Sequence, residues 1–431
     1  MKVCVIGLGY IGLPTATLAA VAGHEVTGVD TNPAVVESLS NAVSHIHEPG
    51  LAELLTRAVV QGRLKAQRDV VEADVFIVAV PTPITCDKTA DLEYVTQAAH
   101  SVVGHLSEGS LFIIESTIPP GCTEDVVIPI LEESHLKAGE DFHVAHCPER
   151  VLPGRLLHEL VHNDRVIGAI DPKSAERARL FYASFVQGDI ITTGLKEAEL
   201  TKLIENAYRD VGIAFANEVA AVCDRLGVDV WDVIKMANRH PRVSILNPGP
   251  GVGGHCIAVD PWFLVEACPE DTPLITTARA VNDHRPERIV EIVEEHLSRA
   301  GVTNPVIASL GLTYKADVSD ARCSPAIEIV ARLKKKGFDV RVCDPLAGGE
   351  SPYECVTVDQ AIDGADALLL LVEHEEYVAL DVEAMRRRMR TPIVIDTKGV
   401  WRNGKSETKR TFRVADDSSS LVADYADQIS A

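Results

Sequence analysis

Residues 2–7 read as a strand that runs into Gly7-Leu8-Gly9-Tyr10-Ile11-Gly12, after which alanine and leucine recur with helical spacing as far as Gly23. A glycine loop that closes a strand and opens a helix dictates a local fold. Gly7 permits the tight turn, Gly9 leaves the backbone bare toward a ligand, and Gly12 lets helix and strand pack closely. The helix N-terminus faces whatever lies over the loop, and its unpaired N–H groups and dipole favour a phosphate there. The next strand ends at Asp30, where a carboxylate accepts hydrogen bonds from ribose hydroxyls. It repels a 2′-phosphate, and Thr31 and Asn32, which follow, supply no arginine to hold one. The unit therefore predicts dinucleotide binding, with NAD as the cofactor.

Strand patterns recur at residues 75–80, 111–115, 144–146 and 165–170, with helical patterns near 35–41, 49–61, 92–105, 123–134 and 172–186. Such alternation predicts a parallel sheet with helices on both faces. Ligands bind such sheets at the carboxyl ends of strands, so Thr82 and Thr117, just past two of those ends, are expected beside the dinucleotide. Residues 197–225, 230–238, 276–284 and 286–299 all read as helices. A helix as long as 197–225, apolar on two sides, is expected to bury one side against a second copy of the chain, making a homodimer. Strand patterns return at 305–311, 339–344, 367–372 and 393–396, with a helix at 324–336. The expected fold class is α/β, with two doubly wound Rossmann-like domains joined by a helical middle domain that carries the long central helix. The domain bounds are 1–195, 196–300 and 301–414, and residues 415–431, rich in Asp, Ser and Ala, are expected to form a mobile tail.

Acidic residues outnumber basic ones 63 to 41, a formal charge of −22 that argues against nucleic acid or anionic membrane as partners. The longest apolar runs have the length of buried strands, not of a membrane span, and the chain enters a strand at Lys2 with no secretory signal. The ten cysteines show neither a disulfide framework nor paired metal-site spacing. Reduced thiols in a cytoplasmic protein without a metal is the reading that follows.

Cys256 sits in Pro248-Gly-Pro-Gly-Val-Gly-Gly-His-Cys-Ile-Ala-Val-Asp260, a glycine-rich loop that lets backbone approach a ligand. A thiol in such a loop, in a chain that also carries a hydride-acceptor site, points to oxidation through a thioester, from alcohol past aldehyde to acid. Lys202, Asn206 and Arg209 recur at helical spacing and share one face. A lysine in a dry cleft stabilises an oxyanion, and its charge favours a thiolate. Glu149 and Arg150 follow a strand end in Pro148-Glu-Arg-Val-Leu-Pro153, where a glutamate acts as base for thioester hydrolysis. His240 and Arg242 precede the cysteine loop, and Lys315 and Arg322 follow the first strand of the third domain, which suggests anion binding.

Together these stretches resemble the UDP-glucose/GDP-mannose dehydrogenase family over nearly the whole chain, to about residue 403, through residues 146–154, 238–262 and 396–401. The resemblance implies an NAD-dependent, four-electron oxidation of the primary alcohol of a UDP-sugar. Cys256 would be the nucleophile, Lys202 the oxyanion stabiliser or proton acceptor, and Asn206 and Asp260 its helpers, with Asp260 or Glu149 activating water. Tyr10, Ile11, Asp30, Thr82, Thr117 and Arg322 would contact NAD. Arg150, Val151, Lys202, Asn206, Arg209, His240, Arg242 and Gly253 would line the sugar-nucleotide site, with His240 and Arg242 reaching across a dimer interface and Lys315 and Lys398 near phosphates or domain junctions. Glucose-oxidising members carry a second carboxylate four residues after the Pro-Glu glutamate, where this chain has Pro153. That departure favours an N-acetylated sugar over glucose; the resemblance of the three stretches implies UDP-N-acetyl-D-mannosamine as the expected substrate, with UDP-GlcNAc, UDP-glucose or GDP-mannose, or a single-step alcohol oxidation, as the alternatives.

Overall fold

The computed structural model describes residues 1–152, 154–348 and 351–403; the tail expected at 415–431 lies outside them. Two compact units emerge: Met1–Tyr208 with Val259–Thr276, and Arg209–Ala258 with the described part of Thr277–Ala431.

The first unit holds an eight-stranded sheet of β1 (Lys2–Ile6), β2 (Glu25–Val29), β3 (Leu64–Gln67), β4 (Val75–Val78), β5 (Leu111–Ile114), β6 (His143–His146), β7 (Arg165–Ala169) and β8 (Ile190–Thr193). Their order is β3-β2-β1-β4-β5-β6-β7-β8. β4 and β5 are buried on both faces, as a helix-covered parallel sheet requires, and separate apolar clusters fill the two sides. One pair corrects the all-parallel expectation: β7 runs antiparallel to β6, with Ala145 opposite Ala169 and His146 opposite Gly168. The short helix Leu156–His162 reverses the chain between them without the full crossover that a parallel pair needs. β3 and β8 were not legible in the sequence. Both are four-residue edge strands with one neighbour each, and both expose polar residues.

The second unit carries a four-stranded parallel sheet of β9 (Val306–Leu310), β10 (Asp339–Cys343), β11 (Ala367–Leu370) and β12 (Ile393–Asp396), ordered β10-β9-β11-β12. The helix Leu195–Leu226 begins in the first unit and ends in the second. The two helices expected at 276–284 and 286–299 are one, Pro273–Arg299, with Pro286 inside it. Proline there removes a backbone hydrogen bond, but Pro286 is buried with its ring against Gly251, and packing offsets the loss. The helix expected at 123–134 breaks into a π turn, one α turn and a 3-10 turn around Pro129, which donates no backbone hydrogen bond. Among the described residues no helix is long and apolar enough to cross a membrane, no disulfide forms, and no three His, Cys, Asp or Glu side chains gather as metal ligands.

Candidate active site

The glycine loop is tight at its ends and open in its middle. Gly7 takes φ +89°, and a Cβ there would meet Ala79 O at 2.7 Å. A Cβ on Gly12 would meet Gly7 O at 1.8 Å, whereas nothing lies within 4 Å of the place a Gly9 Cβ would take. This shape fits a pyrophosphate over Gly9, facing the N-terminus of the helix Gly12–Val21. Tyr10 and Ile11 lie half-buried at the same helix start. Asp30 follows β2, and besides ending the strand it braces the loop: its Oδ2 accepts from Leu8 N at 3.0 Å and its Oδ1 from Asn32 N at 2.9 Å. Thr82 Oγ1 is buried without a hydrogen-bond partner, the kind of unsatisfied group a cofactor would meet. Thr117 is half-buried, and its neighbour Ser116 donates to Val80 O at 2.7 Å, tying the ends of β4 and β5 together. These residues fit NAD.

A second group in the same unit has acid–base character. Lys202 is 6% exposed on the helix Leu195–Leu226. One turn on, Asn206 Nδ2 donates to Asp260 Oδ2 at 2.6 Å. Asp260 opens the helix Asp260–Ala267, where a carboxylate suits the dipole, and Leu203, Ala207, Phe263 and Leu264 pack as a dry wall beside it. Burial pushes Asp260 up to about 6, against the pull of the Lys202 charge and the Asn206 bond. Glu149, just past β6, is pushed up to about 7 by burial, opposed first by Lys202 and then by the Val151 N–H that it accepts. Both carboxyls therefore change charge close to neutrality, as groups that move protons at neutral pH must. His146 is different: burial drives it down to about 3, so it stays neutral.

Arg150, expected to line the sugar-nucleotide site, is engaged by protein. Its Nε and Nη2 meet Glu205 at 3.0 and 2.5 Å, and its Nη1 reaches Asp164 O at 3.3 Å. The loop beyond it is pinned by carboxylates. Leu152 N donates to Glu159 at 2.9 Å, and Glu48 accepts from Gly154 N at 2.8 Å and Leu156 N at 2.7 Å.

The remaining expected residues belong to the second unit. Cys256 is exposed at the end of its glycine loop. That loop is anchored at its start, where Gly249 N donates to Asn217 Oδ1 at 3.0 Å and Arg285 Nε donates to Gly249 O at 2.9 Å. Further on, a Cβ at Gly253 would meet Cys323 O at 2.6 Å, and one at Gly254 would press on the Tyr314 ring. Arg209, His240, Arg242 and Lys315 are exposed. Arg322 meets its near neighbour Asp320 through Nε at 2.9 Å and Nη2 at 2.7 Å, and Lys398 pairs with Glu373 at 3.0 Å.

Sequence reasoning missed Glu48, Glu115, Arg165 and Glu205, each of which anchors a site loop or its floor. Glu115 and Arg165 carried a signal: a charge at the end of an apolar strand reads as surface, yet both are nearly inaccessible here, at 1% and 6%.

Comparison with known proteins converges on one family. Residues 1–186 match the NAD binding domain of the UDP-glucose/GDP-mannose dehydrogenase family, 196–284 its central domain and 308–403 its UDP binding domain. The chain belongs to that family and is an NAD-dependent nucleotide-sugar dehydrogenase. It is 47% identical to an NDP-N-acetyl-D-galactosaminuronic acid dehydrogenase of Ralstonia nicotianae, over 93% of this chain and 96% of the relative. It is 46% identical to the UDP-N-acetyl-D-mannosamine dehydrogenase of Methanocaldococcus jannaschii, over 96% of this chain and 95% of the relative. The structure of the UDP-D-ManNAc dehydrogenase from Pyrococcus horikoshii superposes with a TM-score of 0.88 at 40% identity, covering 93% of this chain and 96% of that one.

Proposed function

We propose that the enzyme oxidises the C6 alcohol of UDP-N-acetyl-D-mannosamine to the uronic acid, in the cytoplasm and as a homodimer, with Cys256 as covalent nucleophile. The observation that carries the acid–base part is the part-buried Asn206–Asp260 hydrogen bond beside Lys202, with Glu149 held near neutrality. NAD, bound over the Gly7–Gly12 loop with Asp30, Thr82 and Thr117, supplies a hydride acceptor for each of the two oxidations. The chain does the rest. Lys202 holds the C6 oxygen as it loses its proton. The Cys256 thiolate adds to the C6 aldehyde, forming a sulfur–carbon bond and a thiohemiacetal whose oxidised form is a thioester. Glu149 or Asp260 takes a proton from water, which attacks the thioester carbonyl; the thiolate leaves and the carboxylate is released. Arg209, His240, Arg242, Gly253 and Lys315 are assigned to the sugar nucleotide. Arg150 contributes by holding Val151 and its loop through Glu205.

The dimer reading is supported by Ile204, Tyr208, Phe215, Val222 and Leu226. All are more than half exposed, and at 3.6 residues per turn they fall on one stripe of the helix Leu195–Leu226. The name of the Ralstonia relative favours a second substrate, the galacto-configured N-acetyl sugar. Incubation with NAD and a panel of UDP- and GDP-sugars, read by NADH yield and product mass, decides between them: two NADH per acid formed from UDP-N-acetyl-D-mannosamine is the expected result. Cys256→Ala is expected to form no acid; acid production at the native rate would remove the thioester.

A further inference from the structure

Against Cys147, two residues before Glu149, lies a buried cation that the steps above do not use. Arg165 opens β7, which runs antiparallel to β6 and parallel to β8 within the eight-stranded sheet. That direction matters. With His146 opposite Gly168, the backward course of β7 to Arg165 follows the forward course of the chain from His146 to Cys147 and Glu149. A parallel β7 would have put residue 165 at the opposite end of the strands. Arg165 Nη1 reaches Cys147 Sγ at 3.8 Å, Nη2 reaches Leu160 O at 3.4 Å, and the guanidinium lies 5.2 Å from the centre of the Tyr182 ring. Among the described residues no carboxylate oxygen pairs with it directly. A buried cation with only weak local partners is costly to keep, and its charge acts over several ångströms because little water screens it. Its surroundings hold it in place: Tyr182 OH donates to Glu115 Oε1 at 2.7 Å, and Thr15 Oγ1, on the helix that carries the glycine loop, donates to Glu115 Oε2 at 3.0 Å. Thr15, Glu115 and Tyr182 are each 0–1% exposed.

We propose that Arg165 is a positioning residue for the oxidation, a buried guanidinium held by the Thr15–Glu115–Tyr182 relay that keeps Glu149 ionised and able to accept a proton from water. The proposal rests on Glu149 being a base in the reaction. The charged groups facing Glu149 are Lys202 on the helix Leu195–Leu226, Arg165 on β7 and Glu115 at the end of β5; Asp260, on its own helix, shares Lys202 with it. Burial raises Glu149, Lys202 and Arg165 lower it, and Glu115 raises it. The cluster thus holds three buried carboxyls, Glu115, Glu149 and Asp260, against two buried cations, Lys202 and Arg165. Removing either kind of charge moves the Glu149 proton in opposite directions.

The test is kcat against pH, from about pH 5.5 to 9.5, for the full chain with NAD and UDP-N-acetyl-D-mannosamine, alongside mass spectrometry of the Cys256 peptide. Arg165→Met is expected to displace the acidic limb upward by about one pH unit, with thioester accumulating on Cys256 at pH 7 and most activity returning at high pH. Glu115→Gln is expected to displace the limb downward, and Arg165→Lys to keep it near its native position. A merely structural role would lower kcat by one factor at every pH for Arg165→Met and Glu115→Gln alike; that result, or displacement of both in the same direction, overturns the proposal. If Arg165→Met does not fold, Glu115→Gln alone decides: an unmoved or upward-shifted limb overturns it. Glu149→Gln separates the two readings. A native acidic limb in Glu149→Gln sinks Glu149 as the base, whereas its loss together with an unmoved limb in Arg165→Met sinks Arg165 alone.

Discussion

Replacing Arg279 with Met isolates the polar ladder on which the cysteine loop rests. Arg279 is 1% exposed and Asp210 0%, and Arg279 Nη1 meets Asp210 Oδ1 at 2.6 Å. Asn282 donates to the same oxygen at 2.8 Å and accepts from Asn217, which holds Gly249 of the loop. Burial raises Asp210 above the usual carboxylate range, and Arg279 is the largest influence opposing it. At an effective dielectric of about 20 the pair is worth about 6 kcal/mol before desolvation is counted. Without Arg279 the carboxyl escapes its buried charge by keeping a proton. That costs about 1.4 kcal/mol for each pH unit above the unfolded value near 3.9, hence about 4 kcal/mol at pH 7 and about 1.5 kcal/mol at pH 5. The sign follows from linkage. The folded variant binds a proton that the unfolded chain has released, so its stability falls as pH rises above about 4. Urea unfolding followed by Trp231 and Trp401 fluorescence in the second unit is expected to show a larger deficit at pH 8 than at pH 5. Adding Asp210→Asn to Arg279→Met should flatten that dependence and recover about half of the loss at pH 7. An equal deficit at both pH values, or one below about 1 kcal/mol, would refute the reasoning.

The glycine loop and the exposed helix stripe give two more expectations. Gly9→Ala meets open space, so folding should be unchanged while NAD binds more weakly, by roughly tenfold in a cofactor titration; Gly12→Ala collides with Gly7 O and should lose both cofactor affinity and thermal stability. Unchanged NAD affinity in Gly9→Ala would place the pyrophosphate elsewhere. Tyr208→Asp with Phe215→Glu, two exposed positions on one helix face, should convert a dimer to a monomer in light scattering, and a native mass for the double variant would move the interface off this helix.

What was legible in the sequence had short-range causes. Gly7, Gly9, Gly12 and Asp30 announce themselves because the turn, the close approach and the strand end all lie within one strand–helix–strand unit. Val75–Val78 and Ala367–Leu370 read as buried strands because all their residues are apolar. The direction of β7 was not legible, since reversal depends on what the chain does between His146 and Arg165, and those residues show no strong period. Pro286 misled for the opposite reason: its local rule is strong, yet burial against Gly251 outweighed it. Lys202, Asn206 and Asp260 were nominated by helical spacing and by likeness, but the Asn206–Asp260 hydrogen bond joins residues 54 apart in sequence, a distance no spacing argument covers. Glu115 with Tyr182, 67 apart, and Arg150 with Glu205, 55 apart, escaped for the same reason.

The net charge of −22 makes the placement of cations a constraint on function. An anionic sugar nucleotide and an anionic dinucleotide approach a chain whose far field repels them, though salt confines that field to about 8 Å at physiological ionic strength. Cations nearer the surface are blunted in the same way. Arg322 is matched by Asp320 and Lys398 by Glu373, and such surface pairs contribute about 0–1 kcal/mol. Lys202 and Arg165 escape this compensation because they are buried, where little water screens them. Their burial is unfavourable for folding unless nearby carboxyls share the charge, and those carboxyls are the groups to which the mechanism proposed above gives proton exchange. The same desolvation therefore sets Glu149 to about 7 and Asp260 to about 6, and under the mechanism proposed above it strengthens the hold of Lys202 on the reacting oxygen. An enzyme with this surface cannot gain proton-transfer chemistry by adding exposed lysines; it must keep a few cations dry and accept their cost in stability.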